Sequence, residues 1–276
     1  MKKDNIKIST VLAFAVLFGI LLMSILAPWL APYDPLKIDM KNALLPPSKL
    51  HLLGTDNIGR DILSRVIYGG RQSIVLAAIA TSMSMALGCI IGMIAGYFGS
   101  WVDVAITSIS NIFQGLPGMT MMIAIAGILG PGVENMLLSL VVTSWVSFSR
   151  LVRGEVMRVK EADYIEGIQS MGAGKIRILF LHVLPNIIGN LIIVYTTKVG
   201  RVVLSVAGLS YLGLGIQPPT PDWGVMINDA RMYFRSYQHL LFAPGICIIL
   251  LSLSINLIGD VLRDKLDAKN QEFREY

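Results

Sequence analysis

The stretch that decides the arrangement of this chain runs from Glu161 to Asn186 and reads EADYIEGIQSMGAGKIRILFLHVLPN. It is a well-charged segment between two strongly apolar runs, so we expect it to lie in water while its neighbours lie in lipid. Its first half predicts a helix, Gly172 and Gly174 predict a turn, and a second apolar stripe at helical spacing continues until Pro185. Two short helices joined at a glycine turn form a protruding element that suits a cleft on another protein.

The composition is that of an integral membrane protein. Hydrophobic residues make up 54% of the 276 residues and charged residues only 15%, and the mean hydropathy is +0.65. The net charge of +5 comes from basic residues spread along loops, without a basic stripe and interleaved aromatic residues, which argues against nucleic acid as a partner. Cys89 and Cys247 lie inside apolar runs, so they predict neither a disulfide nor a metal site.

Six apolar runs are candidates for transmembrane helices, so we expect an all-α polytopic membrane protein surrounded by lipid. We divide the chain into a first span with its following segment over 1–72, a transmembrane domain over 73–262 that contains the 150–186 loop, and a cytoplasmic tail over 263–276. The predicted spans are Ser9–Ala31, Ser73–Phe98, Val104–Leu129, Met136–Phe148, Ile187–Leu214 and Leu240–Ile258.

Basic residues indicate the orientation in the membrane. They precede span one, occupy the loop between spans four and five, and follow span six, so the positive-inside rule places these three segments in the cytoplasm. Both termini are then cytoplasmic, and the large external segments are Pro32–Gln72 and Gly215–His239. The residues concerned are Lys2, Lys3, Lys7, Arg150, Arg153, Arg158, Lys160, Lys175, Arg177, Arg263, Lys265, Lys269 and Arg274.

Glycine and proline indicate how spans two and three pack. Gly88, Gly92 and Gly96 recur at every fourth residue of span two, which allows a neighbouring helix to approach closely. Pro117 interrupts span three, and such a break is tolerated where protein or a water-filled cavity satisfies the freed backbone groups. Pro117 therefore predicts either a helix that borders a translocation pathway or a packed kink without a transport role.

Lys198 and Arg201 are unexpected charges near the middle of span five. They are three residues apart, hence on one helical face, and no Asp or Glu lies centrally in a predicted span. Charges in the bilayer are costly, so we expect the pair to face a wet pathway or an acidic residue of a partner. One hypothesis is a basic pair that attracts carboxylates of a transported solute. Snorkelling or an ion pair with a partner subunit explains the residues equally well.

The sequence contains no motif that indicates nucleotide binding or enzymatic catalysis. The run Gly172–Lys175 superficially suggests a phosphate-binding loop, but Gln169 stands where that motif needs glycine, and Ile176 replaces the Ser or Thr that would bind magnesium. The three histidines are scattered, and no intramembrane pair of carboxylates exists for acid–base catalysis. We therefore expect no cofactor and no catalytic residue on this chain, and ATP-driven transport would need a separate ATPase.

The external segments predict a folded cap. After the run that begins at Leu53, we expect a helix from about Ile58 to Tyr68, with Thr55 or Asp56 as its N-terminal cap. We also expect Arg60 and Asp61 to form a local ion pair. In the second segment three prolines within 218–221 predict an extended hook. The aromatic residues Trp223 and Tyr233 predict anchors at the membrane interface or contacts of a docked binding protein.

The 161–186 stretch resembles the cytoplasmic loop of ABC-importer permeases. That loop reads Glu-Ala-Ala, three residues, Gly, nine residues, then a spaced Leu-Pro. Glu166, Gly172 and Leu184–Pro185 fall at those positions, whereas Gly167 and Ile168 replace the two alanines.

Three other segments resemble the peptide/nickel branch of that family. The run LGTDNIGRDILSR at 53–65 is similar to its LGTDxxGRDxxSR signature, and the runs at 211–224 and 254–260 are similar to it as well. The resemblance thus covers nearly the whole chain beyond the first span.

The resemblance implies a six-span permease of a bacterial or archaeal plasma (inner) membrane. Its partners would be a second homologous permease, two ATP-binding subunits that hold ATP and Mg, and an extracytoplasmic substrate-binding protein. Glu166 and Gly172, with Ala173 and Lys175 beside the turn, would couple the permease to the ATPase. The cargo would be di- or oligopeptides, or nickel or another metal as a chelate. The alternatives are an ATP-independent secondary transporter or channel that uses Lys198 and Arg201, and a membrane-anchored assembly factor without a pathway.

Overall fold

The computed structural model describes residues 8–272, and the side chains of residues 8–265. Helices and turns make up this part of the chain, which contains no β-strand beyond one isolated bridge between Thr55 and Asp61. The all-α prediction is therefore confirmed. Some basic residues used for the orientation, namely Lys2, Lys3, Lys7 and Arg274, lie outside the described residues, as does the side chain of Lys269.

Five helical stretches are long and apolar enough to cross a membrane, and a bent pair of helices supplies a sixth if it is counted as one span. The helices are α1 (Ile8–Ile25), α2 (Ala27–Leu30), α3 (Ile62–Phe98), α4 (Ser100–Gly115), α5 (Gly118–Leu129), α6 (Val133–Lys160), α7 (Asp163–Ser170), α8 (Lys175–Ile178), α9 (Leu184–Tyr211), α10 (Trp223–Ala230) and α11 (His239–Glu272).

Helix α3 is one continuous helix, although the sequence predicted a short helix from Ile58 followed by a separate span from Ser73. It begins at Ile62 because the Asp61 carboxylate accepts a hydrogen bond from the Ser64 backbone N–H at 2.8 Å and so caps the first turn. The prediction that Thr55 or Asp56 caps this helix is wrong. Helix α3 then runs without interruption to Phe98.

Helix α6 is longer than the predicted span, which ended at Phe148. The helix continues to Lys160. Arg150 and Arg153 therefore lie on α6 rather than in a loop, and only the part of the 150–186 segment after Lys160 leaves this helix. Arg153 forms an ion pair with Asp103 of α4, and Arg150 Nη2 donates to Asn111 Oδ1 of α4 at 2.6 Å. These polar contacts fasten α4 to α6.

Helices α3 and α6 pack against each other through glycines of α3. A Cβ atom added at Gly92 would lie 2.5 Å from the Ser149 carbonyl oxygen and 2.8 Å from Val152 Cβ. Gly88 and Gly96 meet α6 in the same way one turn earlier and one turn later. The close helix approach that the glycine spacing predicts is confirmed. A side chain larger than that of glycine at these positions of α3 would collide with the backbone of α6.

At the opposite end of the bundle from the 161–183 segment, residues 31–61 and 212–238 form a layer that we call the cap. Trp223 is fully buried in it, and its Nε1 donates to the Val66 carbonyl oxygen of α3 at 2.9 Å. The prediction that Trp223 anchors at the membrane interface is therefore wrong. The prolines do exclude helix over 217–222, but α10 begins directly afterwards, so the extended hook is short.

Buried charges hold the cap together. Arg60 Nε lies 2.6 Å from Asp56 Oδ2, and Arg60 Nη2 lies 3.3 Å from Asp229 Oδ2 of α10. The predicted pair of Arg60 with Asp61 does not form, because Asp61 caps α3 and contacts His51 Nδ1 at 2.9 Å. Burial raises the pKa of the Asp229 carboxyl, and the nearby Arg60 guanidinium opposes that rise.

Candidate functional site

The segment 161–183, which we call the protruding loop, consists of α7, a turn, α8 and a π-helical turn over Leu179–Val183. Ile165, Ile178 and Val183 are fully buried, and they pack in one cluster with Val156 of α6 and Tyr97 of α3. These buried residues attach the loop to the ends of α3 and α6. The second stripe, which the sequence placed at Ile176, Leu179, Phe180 and Val183, is only partly correct, because Ile176 and Phe180 are exposed.

Two lysine side chains, one from the protruding loop and one from the end of α6, contact the end of α3. Lys175 Nζ lies 5.5 Å from the centroid of the Phe98 ring. Lys160 Nζ donates to the Tyr97 carbonyl oxygen at 2.8 Å and lies 5.4 Å from the Tyr97 ring centroid. Of the residues predicted to couple to a partner, Lys175 thus contacts its own chain at the end of α3. The role of Lys160 was not predicted, because it pairs with a residue 63 positions away.

Gly172 forms the turn between α7 and α8. Its φ of +83° is one that side chains disfavour, and its N–H donates to the Gln169 carbonyl oxygen at 2.9 Å. No heavy atom lies within 4 Å of the position that a Cβ atom would take. Glycine is therefore required here by the backbone rather than by packing within this chain, and the space beside it is open.

The outer surface of the protruding loop carries large exposed apolar side chains among charged ones. Glu166 is exposed on α7, and Met171 and Ile176 are 79% and 74% exposed. Ala173 and Gly172 line a shallow cleft next to them. Exposed apolar groups beside a carboxylate are typical of a surface that another protein covers.

The break at Pro117 bends the third predicted span by 91° between α4 and α5. Pro117 is exposed, and its flanking residues Gly115 and Gly118 have no heavy atom within 4 Å of a Cβ position. Within the described residues, no other part of this chain packs against the break. It lies on an open side of the bundle.

Lys198 and Arg201 lie in the middle of α9, on a face that we call the basic face and that also carries Gly208, seven residues after Arg201. Lys198 is half-buried and Arg201 is exposed. Neither side chain forms a hydrogen bond or an ion pair with another residue of the described part. A Cβ atom at Gly208 would lie 2.7 Å from Met119 Cε of α5, so the side of α9 that carries Arg201 and Gly208 meets the start of α5 two turns after Arg201.

Among the residues that the structure describes, no acidic side chain forms an ion pair with Lys198 or Arg201. Glu155 of α6 contacts α9, but its carboxylate accepts from Asn190 Nδ2 at 2.7 Å. Asn190 precedes Lys198 by eight residues, a distance of about 12 Å along a helix. Each uncompensated charge at the centre of a bilayer costs about 2.5–3.5 kcal/mol on insertion scales. Water, a charged partner or snorkelling of the two long side chains to the membrane interface would offset this cost.

Comparison with known proteins identifies the family. A family model described as "Binding-protein-dependent transport system inner membrane component" matches residues 88–271, which include the protruding loop, the break at Pro117 and the basic face. The chain belongs to this family. A second model, described as the N-terminal TM domain of oligopeptide transport permease C, matches residues 9–47 of the permease.

Curated relatives align with nearly the whole permease. It is 40% identical over 254 residues to the dipeptide transport system permease protein DppC of Haemophilus influenzae, an alignment that covers 90% of this chain and 86% of the relative. It is 38% identical over 256 residues to the glutathione transport system permease protein GsiD of Pectobacterium atrosepticum. This alignment covers 92% of this chain and 85% of the relative. The resemblance seen in the sequence motifs is confirmed.

Solved structures share the fold of the permease at low sequence identity. A structure of the MetNI methionine ABC transporter in inward-facing conformations gives a TM-score of 0.59 at 18% identity, and the match covers 74% of this chain and 97% of that one. A crystal structure of an amino acid ABC transporter gives a TM-score of 0.55 at 13% identity, and the match covers 74% of this chain and 94% of that one. The permease is therefore a multi-pass membrane subunit with the helical fold of ABC transporter permeases.

Proposed function

We propose that this chain is a permease subunit of an ATP-driven ABC importer and forms half of a translocation pathway for small peptides. The observation that carries the proposal is the protruding loop. It packs on α3 and α6, it exposes Met171 and Ile176 beside the carboxylate of Glu166, and it occurs in a chain of the binding-protein-dependent transport family. A membrane-anchored assembly factor would need neither this loop nor an uncompensated basic face in a membrane helix.

Peptides are the cargo class that the relatives favour. Those at 40% and 38% identity are named for dipeptide and glutathione transport, and glutathione is itself a small peptide. The sequence also left nickel or another metal chelate open. None of the relatives described above is named for a metal, so we propose di- or oligopeptides.

The importer would contain a second homologous permease, two ATP-binding subunits and an extracytoplasmic substrate-binding protein. ATP and Mg would bind to the ATP-binding subunits, which is consistent with the failed phosphate-loop match at Gly172–Lys175. The protruding loop and both termini would face the cytoplasm. The cap would then face outwards, where the binding protein delivers cargo.

We propose that Glu166, Gly172 and Ala173 contact an ATP-binding subunit, whereas Lys175 holds the loop against Phe98. When the ATP-binding subunits close, they would displace the loop. Because Ile165 and Ile178 are buried against α3 and α6, these helices would move with it and open the pathway outwards. The break at Pro117 and the basic face of α9 would line that pathway.

A substitution at Gly172 tests the proposal. Gly172→Leu forces a side chain into a backbone conformation with φ of +83° and fills the open space that we assign to the partner. The protein should insert in the membrane and co-purify less ATPase, and uptake should fall more than ATP hydrolysis. Gly174→Leu is the matched control, since Gly174 also has open space beside it but has a φ of −67°.

The measurement is co-purification of the tagged chain in mild detergent, identification of its partners by mass spectrometry, and assay of ATP hydrolysis and peptide uptake after reconstitution. Recovery of a homologous permease and an ATPase, weakened by Gly172→Leu more than by Gly174→Leu, is the expected result. A chain that purifies alone and moves solute through liposomes without ATP would show a secondary transporter or channel instead.

A further inference from the structure

The basic face of α9 has the geometry of a site for a single anionic group. Lys198 and Arg201 are separated by three residues, which corresponds to about 4.5 Å along the helix axis. Both have long side chains that can converge on one acceptor, and a guanidinium presents a planar fork that matches the two oxygens of a carboxylate.

The acidic residues on the neighbouring helices do not occupy this site. Glu155 of α6 is bound to Asn190 and to Arg158, and Asp103 of α4 is paired with Arg153. On α11, Asp260 follows Gly259, which packs against Thr197 of α9. Among the described residues, Asp260 forms no ion pair with Lys198 or Arg201.

The basic face is open between two contacts. Towards one end of α9, Asn190 contacts α6, and towards the other end Gly208 contacts α5 just after the break at Pro117. Arg201 lies between these contacts and is exposed. Arg201 is thus an accessible charge in the middle of a membrane helix and near a broken span. A solute that crosses the membrane there could contact it.

We propose that Lys198 and Arg201 bind the carboxylate of a peptide while it crosses the membrane. This inference rests on the proposed function, because it assumes that peptides are the cargo and that the basic face borders their pathway. It adds a specificity determinant. A free carboxylate on the cargo favours passage, and a peptide with that group neutralised passes less readily.

The test compares two peptides in the complete transporter, purified through a tag on this chain and reconstituted in liposomes with ATP inside. The peptides are alanylalanine and its C-terminal amide, and the measured quantity is the ratio of their uptake rates. A preference that belongs to the binding protein is the same in every variant, so it cancels when each variant is compared with the wild type.

The variant Lys198→Gln with Arg201→Gln should lower the free-peptide to amide ratio about tenfold, the effect of losing one hydrogen-bonded charge pair. The exchange Lys198→Arg with Arg201→Lys keeps both charges and should restore most of the ratio. Arg71→Gln removes an exposed charge of α3 that lies elsewhere, and should leave the ratio at the wild-type value.

Three results would overturn the inference. An unchanged ratio in the double Gln variant would show that the pair does not recognise the carboxylate. Loss of the second permease from the purified complex of that variant would show that the pair neutralises an acidic residue of a partner instead. A wild-type complex that hydrolyses ATP but imports neither peptide would refute the proposed cargo together with the site, whereas normal import with an unchanged ratio refutes the site alone.

Discussion

Gly92→Ala tests the close packing of α3 on α6, on which the position of the protruding loop depends. The added Cβ atom would lie 2.5 Å from the Ser149 carbonyl oxygen, whereas ordinary van der Waals contact begins at 3.4 Å. The two helices must therefore separate by about 0.9 Å at this level. Neither the backbone oxygen nor the β-branched Val152 beside it can rotate away, so the helices themselves have to move.

The expected cost follows from the packing. Overpacking of a close interface destabilises by about 1–3 kcal/mol, and a loss near 2 kcal/mol lowers the melting temperature of a chain of this size by roughly 4–8 °C. Gly154→Ala is the matched control, because Gly154 lies on α6 itself with no heavy atom within 4 Å of its Cβ position. Alanine there should stabilise the helix by about 0.5–1 kcal/mol.

Thermal unfolding of the purified protein in detergent, followed by intrinsic fluorescence, measures both variants. Gly92→Ala should melt below the wild type and Gly154→Ala at or above it. Equal melting temperatures for the two variants would refute the reasoning, because they would mean that α3 and α6 are not in contact through this glycine.

Two further predictions concern the cap. Trp223→Ala should destabilise the protein by about 3–5 kcal/mol, because it empties a fully buried site and removes the hydrogen bond to Val66, whereas Trp101→Ala, at a side chain 77% exposed, should change the melting temperature little. Asp222 is fully buried and accepts from Ser73 Oγ at 2.7 Å, and burial raises the pKa of its carboxyl above the ordinary 3.8. The folded protein therefore holds the Asp222 proton more tightly than the unfolded chain does, and the melting temperature should fall as the pH rises from about 3.8 through the folded-state pKa. The Asp222→Asn variant should not show this fall in melting temperature. An Asp222→Asn profile parallel to the wild type would contradict this.

Much of the fold followed from the sequence, since apolar length and glycine spacing are local properties. The all-α class, the candidate spans, the close approach at Gly92 and the turn at Gly172 needed no knowledge of distant contacts. The boundaries were less accurate. Helix α6 continues to Lys160 because its last turns pack against the protruding loop, and hydropathy does not detect a helix that extends beyond the lipid.

The cap shows what the sequence left undecided. The motif at 53–65 predicted an ordered segment, but not that Arg60 pairs with Asp56 and Asp229 while Asp61 caps α3. Several carboxylates lay within reach of each arginine in the sequence, and local rules favour the adjacent one. The pair of Arg60 with Asp56 is local, whereas the contact of Arg60 with Asp229 forms only because α10 packs beside this segment.

The sequence by itself determined the chemistry that is available: a membrane chain without a nucleotide motif, with a protruding glycine turn and with two cations in an apolar helix. The tertiary structure decided where these features face. Trp223 was expected at the surface and is buried, since its indole fills the space between α3 and α10. Arg201 shares a face with Gly208, because residues seven apart on a helix point the same way, and Met119 of α5 lies against Gly208 two turns further along. Such placements depend on helices that are distant in sequence, and their energies come from contacts that exist only after the chain has folded.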